Sequence, residues 1–300
     1  QMGIWLASQL ILKRGDVVVV GETNYLTANL TFKDRGAELV CVPVDQDGLD
    51  TDEIEKLCKK QSIRAVYTTS HHHHPTTVTL SAKRRLHLLN LAKRYGFAVL
   101  EDDYDYDFNY NNAPILPLAS HDLNGHVVYT GSVCKSVAPV FRVGYLVAST
   151  EFVDEAAKRR GIVDRQGDAL LESTFAEFIK GGDLDRHIRK VMKVYRSRRD
   201  AFYQLLEKDF RPYMNFELPR GGMAFWVLLR HAVSKEALLE IALKQGLVLD
   251  KELIYVDKKS GQLGLRIGFG EWNEAEMLVA ATRLKSTLEE VGKVSELRFQ

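Results

Sequence analysis

The chain has 300 residues, 45% of them hydrophobic, and 41 basic against 40 acidic residues give a net charge of +1. That length and apolar content suit one large domain or two unequal ones with a substantial core, and the balanced charge leaves no basic footprint for nucleic acid in this segment. Three widely spaced cysteines, Cys41, Cys58 and Cys134, argue against a disulfide framework and for a reducing, cytoplasmic setting; no apolar run approaches the about 18 residues that a membrane helix needs.

The opening stretch QMGIWLASQLIL reads as helix interior from its first residue, with no capping residue ahead of it. A segment before Gln1 is therefore expected. Short apolar runs then alternate with helical patterns: 16–22, 38–44, 63–69, 96–103, 126–132 and 142–149 read as buried strands of the parallel type. Amphipathic helices are expected over 51–60 and 82–96, the second entered through Ser81 and stopped by Gly96. Strands covered on both faces by helices make this an α/β pattern. A long helix over 184–210 then leads to GGMAFWVLL and GLRIGFG. That pattern predicts a large domain over 1–190 and a smaller C-terminal α+β domain over 191–300.

In open parallel sheets ligands bind beyond the carboxyl ends of the strands. The residues just past the strands are Glu101 to Asp107, Ser132 to Ser136, and the run SHHHHPTT over 70–77. The four histidines are internal, which argues against an affinity tag. Neighbours in an extended segment alternate in direction, so at most two could face one metal ion, short of the converging set that zinc needs. An acidic cluster can hold magnesium, but no glycine-rich phosphate loop accompanies this one. Solvated loops with a surface lysine are the bland reading. A pyridoxal phosphate site is the third, because that cofactor needs a lysine amine, a carboxylate by the pyridine nitrogen, and cations or hydroxyls for its phosphate.

Three segments, HHHHPTTVTLSAKRRLHLLNLAKRYG, EDDYDYDFNY and YTGSVCKSVAPVFRVGYLVAS, carry a family resemblance in that order. They resemble the aminotransferase-like domain of MocR-type regulators, of the GntR family, within the fold-type I pyridoxal phosphate enzymes. The resemblance covers nearly the whole chain and implies a three-layer large domain with a mostly parallel sheet. It implies that Lys135 carries the aldimine with pyridoxal 5'-phosphate, that Asp102 faces the ring nitrogen, and that Tyr104 faces the ring oxygen. Ser132 and Arg142 would hold the phosphate, Tyr25 would lie over the ring, and His74, just before Pro75, would touch the ring oxygen. His72 falls where the family has its own histidine, and Arg266 in LGLRIGFG would bind the substrate's α-carboxylate.

Two positions depart from the family pattern: Thr77 stands for the usual glycine and Cys134 for the serine before the lysine. Asp103 is expected to point away from Asp102, since successive strand residues face opposite sides. The resemblance leaves two functions open, an aminotransferase acting on an amino acid and the effector-sensing domain of a regulator that binds DNA through a separate N-terminal domain. It also implies a homodimer, and a phosphate cup completed by residues before Gln1.

Overall fold

The computed structural model describes residues 1–110, 115–257 and 260–297. Its contacts divide it into two units, Gln1–His74 with Val78–Val191, and Pro75–Thr77 with Met192–Gln300. In chain order the first unit runs α1 (Met2–Ile11), β1 (Val17–Gly21), α2 (Leu26–Asp34), β2 (Glu38–Val42), a small hairpin of β3 (Val44–Asp45) and β4 (Gly48–Leu49), α3 (Thr51–Cys58) and β5 (Ala65–Thr68). It continues through α4 (Ala82–Tyr95), β6 (Ala98–Asp103), β7 (Val127–Ser132), β8 (Gly144–Val147), α5 (Thr150–Val163) and α6 (Ala169–Lys180).

Local chemistry sets several of these boundaries. The Asp50 carboxylate accepts from the backbone N–H of Asp52 and Glu53 and so caps α3. At the other end of α4, Gly96 takes a left-handed φ of 73°, which ends the helix without a Cβ clash. Ser81 occupies the N-cap position of α4 but makes no side-chain cap hydrogen bond there.

The main sheet has the order β2-β1-β5-β6-β7-β8, and every pair except the last is parallel. Each face of it is covered. Val19, Val66 and Val99 pack with Ile54 of α3 and Leu88, Leu91 and Ala92 of α4. On the other face Val18, Val20, Tyr67 and Leu100 pack with Ile4, Ala7 and Ile11 of α1 and Phe32 of α2. These three layers are the architecture expected from the alternating pattern.

The expectation of a buried parallel strand over 142–149 is corrected: β8 pairs antiparallel with β7, and most of it is exposed. A parallel return needs a crossover of a dozen or more residues, and only residues 133–143 join the two strands. The edge strand β2 is also more exposed than its apolar sequence suggests, with only Val42 buried.

Helix α7 (Asp183–Asp209) passes from the first unit into the second, which adds β9 (Met214–Phe216), β10 (Ala224–Leu229), α8 (Lys235–Lys244), β11 (Ile254–Val256), β12 (Leu263–Gly268) and α9 (Glu274–Leu297). Its four strands form an antiparallel sheet in the order β11-β12-β10-β9. Phe225, Val227, Leu229 and Leu265 are buried, while Trp226, Leu228 and Arg266 are half-buried. That alternation is the signature of a sheet with one face in the core. Among the described residues, no helix is long and apolar enough to cross a membrane.

Candidate active site

Strand β6 ends in two adjacent carboxylates that the pleat sends to opposite faces. Asp102 is half-buried on the face of Tyr67 and Thr130. The Tyr67 hydroxyl donates to Asp102 Oδ2 at 2.7 Å, and the Thr130 hydroxyl donates to Oδ1 at 3.3 Å. The register places Thr130 of β7 beside Asp102, and Tyr67 reaches it from β5, one strand away on the other side. Burial pushes the Asp102 carboxyl up, and the two hydroxyl donors oppose that rise. The same burial, together with the Asp102 charge, holds the Tyr67 phenol well above its ordinary range.

Helix α1 begins on this face. A Cβ added at Gly3 would lie 2.9 Å from Thr130 Cγ2, so the first turn of α1 sits directly against the residue that steadies Asp102.

Asp103, on the opposite face, is buried and accepts from the Tyr129 hydroxyl at 3.0 Å. It also lies 2.8 Å from His71 Nδ1. The second nitrogen of His71 is 2.8 Å from the carbonyl oxygen of Ile115. Both ring nitrogens therefore lie 2.8 Å from an acceptor, which favours the doubly protonated imidazolium, but the Nδ1–H is not aligned on Asp103 and their contact is an ion pair rather than a hydrogen bond. Burial works against that charge, but Asp103 outweighs it and the His71 pKa is raised.

The four histidines thus have separate duties. His72 Nδ1 donates to Asp105 Oδ1 at 2.8 Å, and the His72 carbonyl accepts from the Tyr104 hydroxyl at 3.0 Å. Complete burial lowers His73 to about 4, which keeps it neutral. The His74 ring meets Tyr25 edge-on at 5.4 Å and Tyr104 at 6.1 Å between centroids, while the Thr69 hydroxyl accepts its backbone N–H at 2.8 Å. Ahead of the run, the Ser70 hydroxyl donates to buried Glu101. The pairs Ser70–Glu101, His71–Asp103 and His72–Asp105 form a side-chain ladder that continues β5 against β6 after their backbone pairing has ended. Among the described residues, no three His, Cys, Asp or Glu groups converge as metal ligands would.

The loop between β7 and β8 carries the remaining cations. Ser132 is half-buried; its hydroxyl accepts the Cys134 N–H at 3.2 Å and donates to the Val143 carbonyl at 3.5 Å. Cys134 is buried, with its thiol on that same carbonyl at 3.4 Å. Ser136 is buried too, and its carbonyl accepts from His187 Nε2 of α7 at 2.9 Å. Between them Lys135 is exposed. Arg142 is exposed as well and holds φ 54°, ψ 26°, a left-handed conformation that costs a non-glycine residue energy. Neither cation makes a hydrogen bond or ion pair with another described residue.

Of the residues singled out in the sequence, the structure joins Tyr25, His74 and Tyr104 in one aromatic group and places Lys135, Ser132 and Arg142 in or beside one loop. Arg266 belongs to the second unit, half-buried in β12 and opposite Trp226 of β10. Beside it Gly264 leaves room for the Trp226 indole, whose Cη2 lies 2.2 Å from where a Cβ would be. Sequence reasoning missed Tyr67, which has no motif around it, and Thr130, which lies inside the segment YTGSVCKSVAPVFRVGYLVAS without a role there; the part each plays becomes visible only through the register of three strands.

The chain matches the family described as "Aminotransferase class I and II" over residues 2–284. It is a member of that family. Among curated relatives it is 30% identical over 302 residues to aromatic-amino-acid aminotransferase 1 of Thermococcus litoralis, covering 97% of this chain and 71% of that protein. It is 32% identical over 257 residues to the HTH-type transcriptional regulator TauR of Rhodobacter capsulatus, covering 86% of this chain and 52% of the regulator. The chain therefore spans about half the length of this regulator. Among solved structures, the multiple substrate aminotransferase of Thermococcus profundus superposes with a TM-score of 0.88 at 27% identity, covering 97% of this chain and 74% of that one. Class I and II aminotransferases and MocR-type regulators are thus both among its relatives, and its fold is that of the fold-type I enzymes.

The donor set fits the cofactor that this family uses. Pyridoxal phosphate presents a basic ring nitrogen, an aldehyde and a dianionic phosphate. The residues present offer an oriented carboxylate, an uncommitted amine, a strained arginine beside a serine hydroxyl, and a group of aromatic rings.

Proposed function

We propose that this chain binds pyridoxal 5'-phosphate and supports aminotransferase chemistry on an amino-acid substrate. The observation that carries the reading is a half-buried, two-donor carboxylate at the end of β6 together with two exposed cations, Lys135 and Arg142, in the loop after β7. When bound, the cofactor supplies an electron-poor pyridinium ring that accepts the electrons left by an amino acid's departing α-proton.

In this reading Asp102 faces the ring nitrogen and favours its protonated form. Tyr104 and His74 face the ring oxygen, and Tyr25 covers the ring. Arg142 and Ser132 hold the phosphate through charge-assisted hydrogen bonds. Lys135 anchors the cofactor covalently and, once released, takes and returns the α-proton as general base and acid. Arg266 offers a planar fork to the substrate carboxylate, which a lysine could not match. A homodimer and a cytoplasmic location belong to the same reading. They are supported by exposed apolar residues such as Phe141, Ile162 and Leu170, and by three free cysteines.

Reduction with borohydride tests the lysine. Wild-type protein mixed with pyridoxal phosphate should gain a stable adduct that mass spectrometry maps to Lys135, and Lys135→Ala should gain none. An adduct retained at another residue in the variant would overturn the assignment.

The similarity to a transcription regulator supports a second reading, in which the same site senses an amino-acid effector and a separate DNA-binding domain responds. Steady-state transamination across a panel of amino acids and keto acids separates the two. Turnover supports the enzyme, whereas saturable binding without turnover, together with a helix-turn-helix encoded ahead of Gln1, supports the sensor.

A further inference from the structure

We propose that Tyr67 is the positioning residue of Asp102: its buried hydroxyl fixes the plane of the carboxylate and holds it ionised toward the ring nitrogen. The inference rests on the reading of Asp102 given above and adds a residue that lies outside the motifs on which that reading depends.

The geometry is specific. Tyr67 is 1% exposed, and its ring is locked edge-to-face on Phe32 at 5.5 Å, so the hydroxyl has little freedom. Tyr67 stands in β5 and Asp102 in β6, adjacent parallel strands, and the phenol reaches Oδ2 at 2.7 Å. Thr130 reaches the other oxygen from β7, at a longer 3.3 Å. A carboxylate held from both flanks by strands of one sheet cannot rotate about its Cβ–Cγ bond without breaking one of these bonds. Each oxygen keeps a second lone-pair direction for another donor.

A hydroxyl donor stabilises the ionised carboxylate and does nothing comparable for the neutral acid. The like charge of Asp103 also acts on Asp102 and disfavours its ionisation. Tyr104 and Tyr25 lie close enough to act on Tyr67 itself. Against burial, the short Tyr67 bond is the stronger of the two hydroxyl contributions, and the Thr130 bond is the weaker.

Tyr67→Phe keeps the ring and its packing and removes only the donor. Isotope-edited infrared spectroscopy of the cofactor-free protein, with the Asp102 band assigned by difference from Asp102→Asn, reads the protonation midpoint directly. Tyr67→Phe should weaken the acid roughly tenfold or more, in line with a hydrogen bond to a charged group. Thr130→Val should move it in the same direction by less. An unchanged midpoint in Tyr67→Phe would show that Tyr67 only packs, and the inference would be wrong.

In loaded protein, the ring nitrogen of 15N-labelled pyridoxal phosphate should lose its proton at lower pH in Tyr67→Phe than in wild type. The borohydride adduct on Lys135 should still form. If wild type takes up no cofactor and yet the Asp102 midpoint moves in Tyr67→Phe, the Tyr67–Asp102 pairing stands and the cofactor reading is what fails. If Tyr67→Phe does not fold, as circular dichroism would show, Thr130→Val carries the test, and a midpoint unmoved in that variant counts against the proposal.

Discussion

Thr77 shows how one residue can keep a backbone shape without the side chain suited to it. The family resemblance expects glycine there, and Thr77 adopts the geometry that glycine would, with φ at 62°. For a β-branched residue that conformation is a true outlier. The turn is held nonetheless, because His73 N–H donates to the Val78 carbonyl at 2.8 Å and Leu80 N–H to the Ser70 carbonyl at 2.9 Å. Left-handed geometry costs a side-chain-bearing residue about 1–2 kcal/mol, while glycine forfeits about 0.4–1 kcal/mol through the entropy of the unfolded chain. Thr77→Gly should therefore stabilise the protein by about 1 kcal/mol net, read as a rise in the denaturation midpoint. A loss of stability would mean that the threonine side chain makes contacts outweighing the strain. The sequence shows that Thr77 departs from the family pattern; it cannot show that the backbone conforms anyway. Tyr67 and Thr130 were illegible for a different reason. In sequence they are ordinary strand residues, and their role depends on two register choices, which bring them to Asp102 from 35 and 28 residues away.

At the scale of elements, the ladder between the ends of β5 and β6 explains the histidine run and makes it sensitive to pH. His71 is the rung whose charge matters most, since it faces Asp103 and the Ile115 carbonyl, with Tyr106 edge-on at 5.2 Å, His72 at 6.4 Å and Arg85 nearby. Its folded pKa is raised above the ordinary value of about 6.5. The stabilisation is therefore complete below that value and is lost as pH rises through the folded pKa. Denaturant titrations of wild type and His71→Gln over this window should give a stability difference that shrinks toward the alkaline side. A constant difference would mean that His71 contributes packing alone. Element type was largely readable beforehand: α4 spans Ala82–Tyr95 with Gly96 left-handed at its end, and α7 spans Asp183–Asp209, close to the helices read from periodicity. Strand direction was not. The apolar run that forms β8 looks the same whichever way the strand runs, and only the eleven-residue link, too short for a crossover helix, decides that it returns antiparallel.

At the scale of the whole molecule, the proposed site residues divide unevenly between the two units. Tyr25, His74, Asp102, Tyr104, Ser132, Lys135 and Arg142 fall in the first unit, and Arg266 falls in the second. Ligand linkage protects only those opening reactions that release the ligand, so each ligand should leave its own pattern of slowed amide exchange. Pyridoxal phosphate at about a hundred times its dissociation constant adds about 2.7 kcal/mol to such openings, enough to slow exchange up to about a hundredfold. The slowing should appear in β6, β7 and the loop before β8, where Asp102, Ser132, Lys135 and Arg142 sit, and in β5, whose Tyr67 holds Asp102. Strand β12, which carries Arg266 opposite Trp226, should be little changed by cofactor alone and should slow when an amino acid bearing a free carboxylate is added. Hydrogen exchange followed by mass spectrometry resolves these segments. If β12 slows fully with cofactor alone, Arg266 is answering the cofactor rather than a substrate carboxylate, and its proposed role is wrong. Arg266→Lys provides the control: it should abolish the substrate-dependent slowing in β12 and leave the cofactor-dependent slowing in β5 to β7 as it is in wild type.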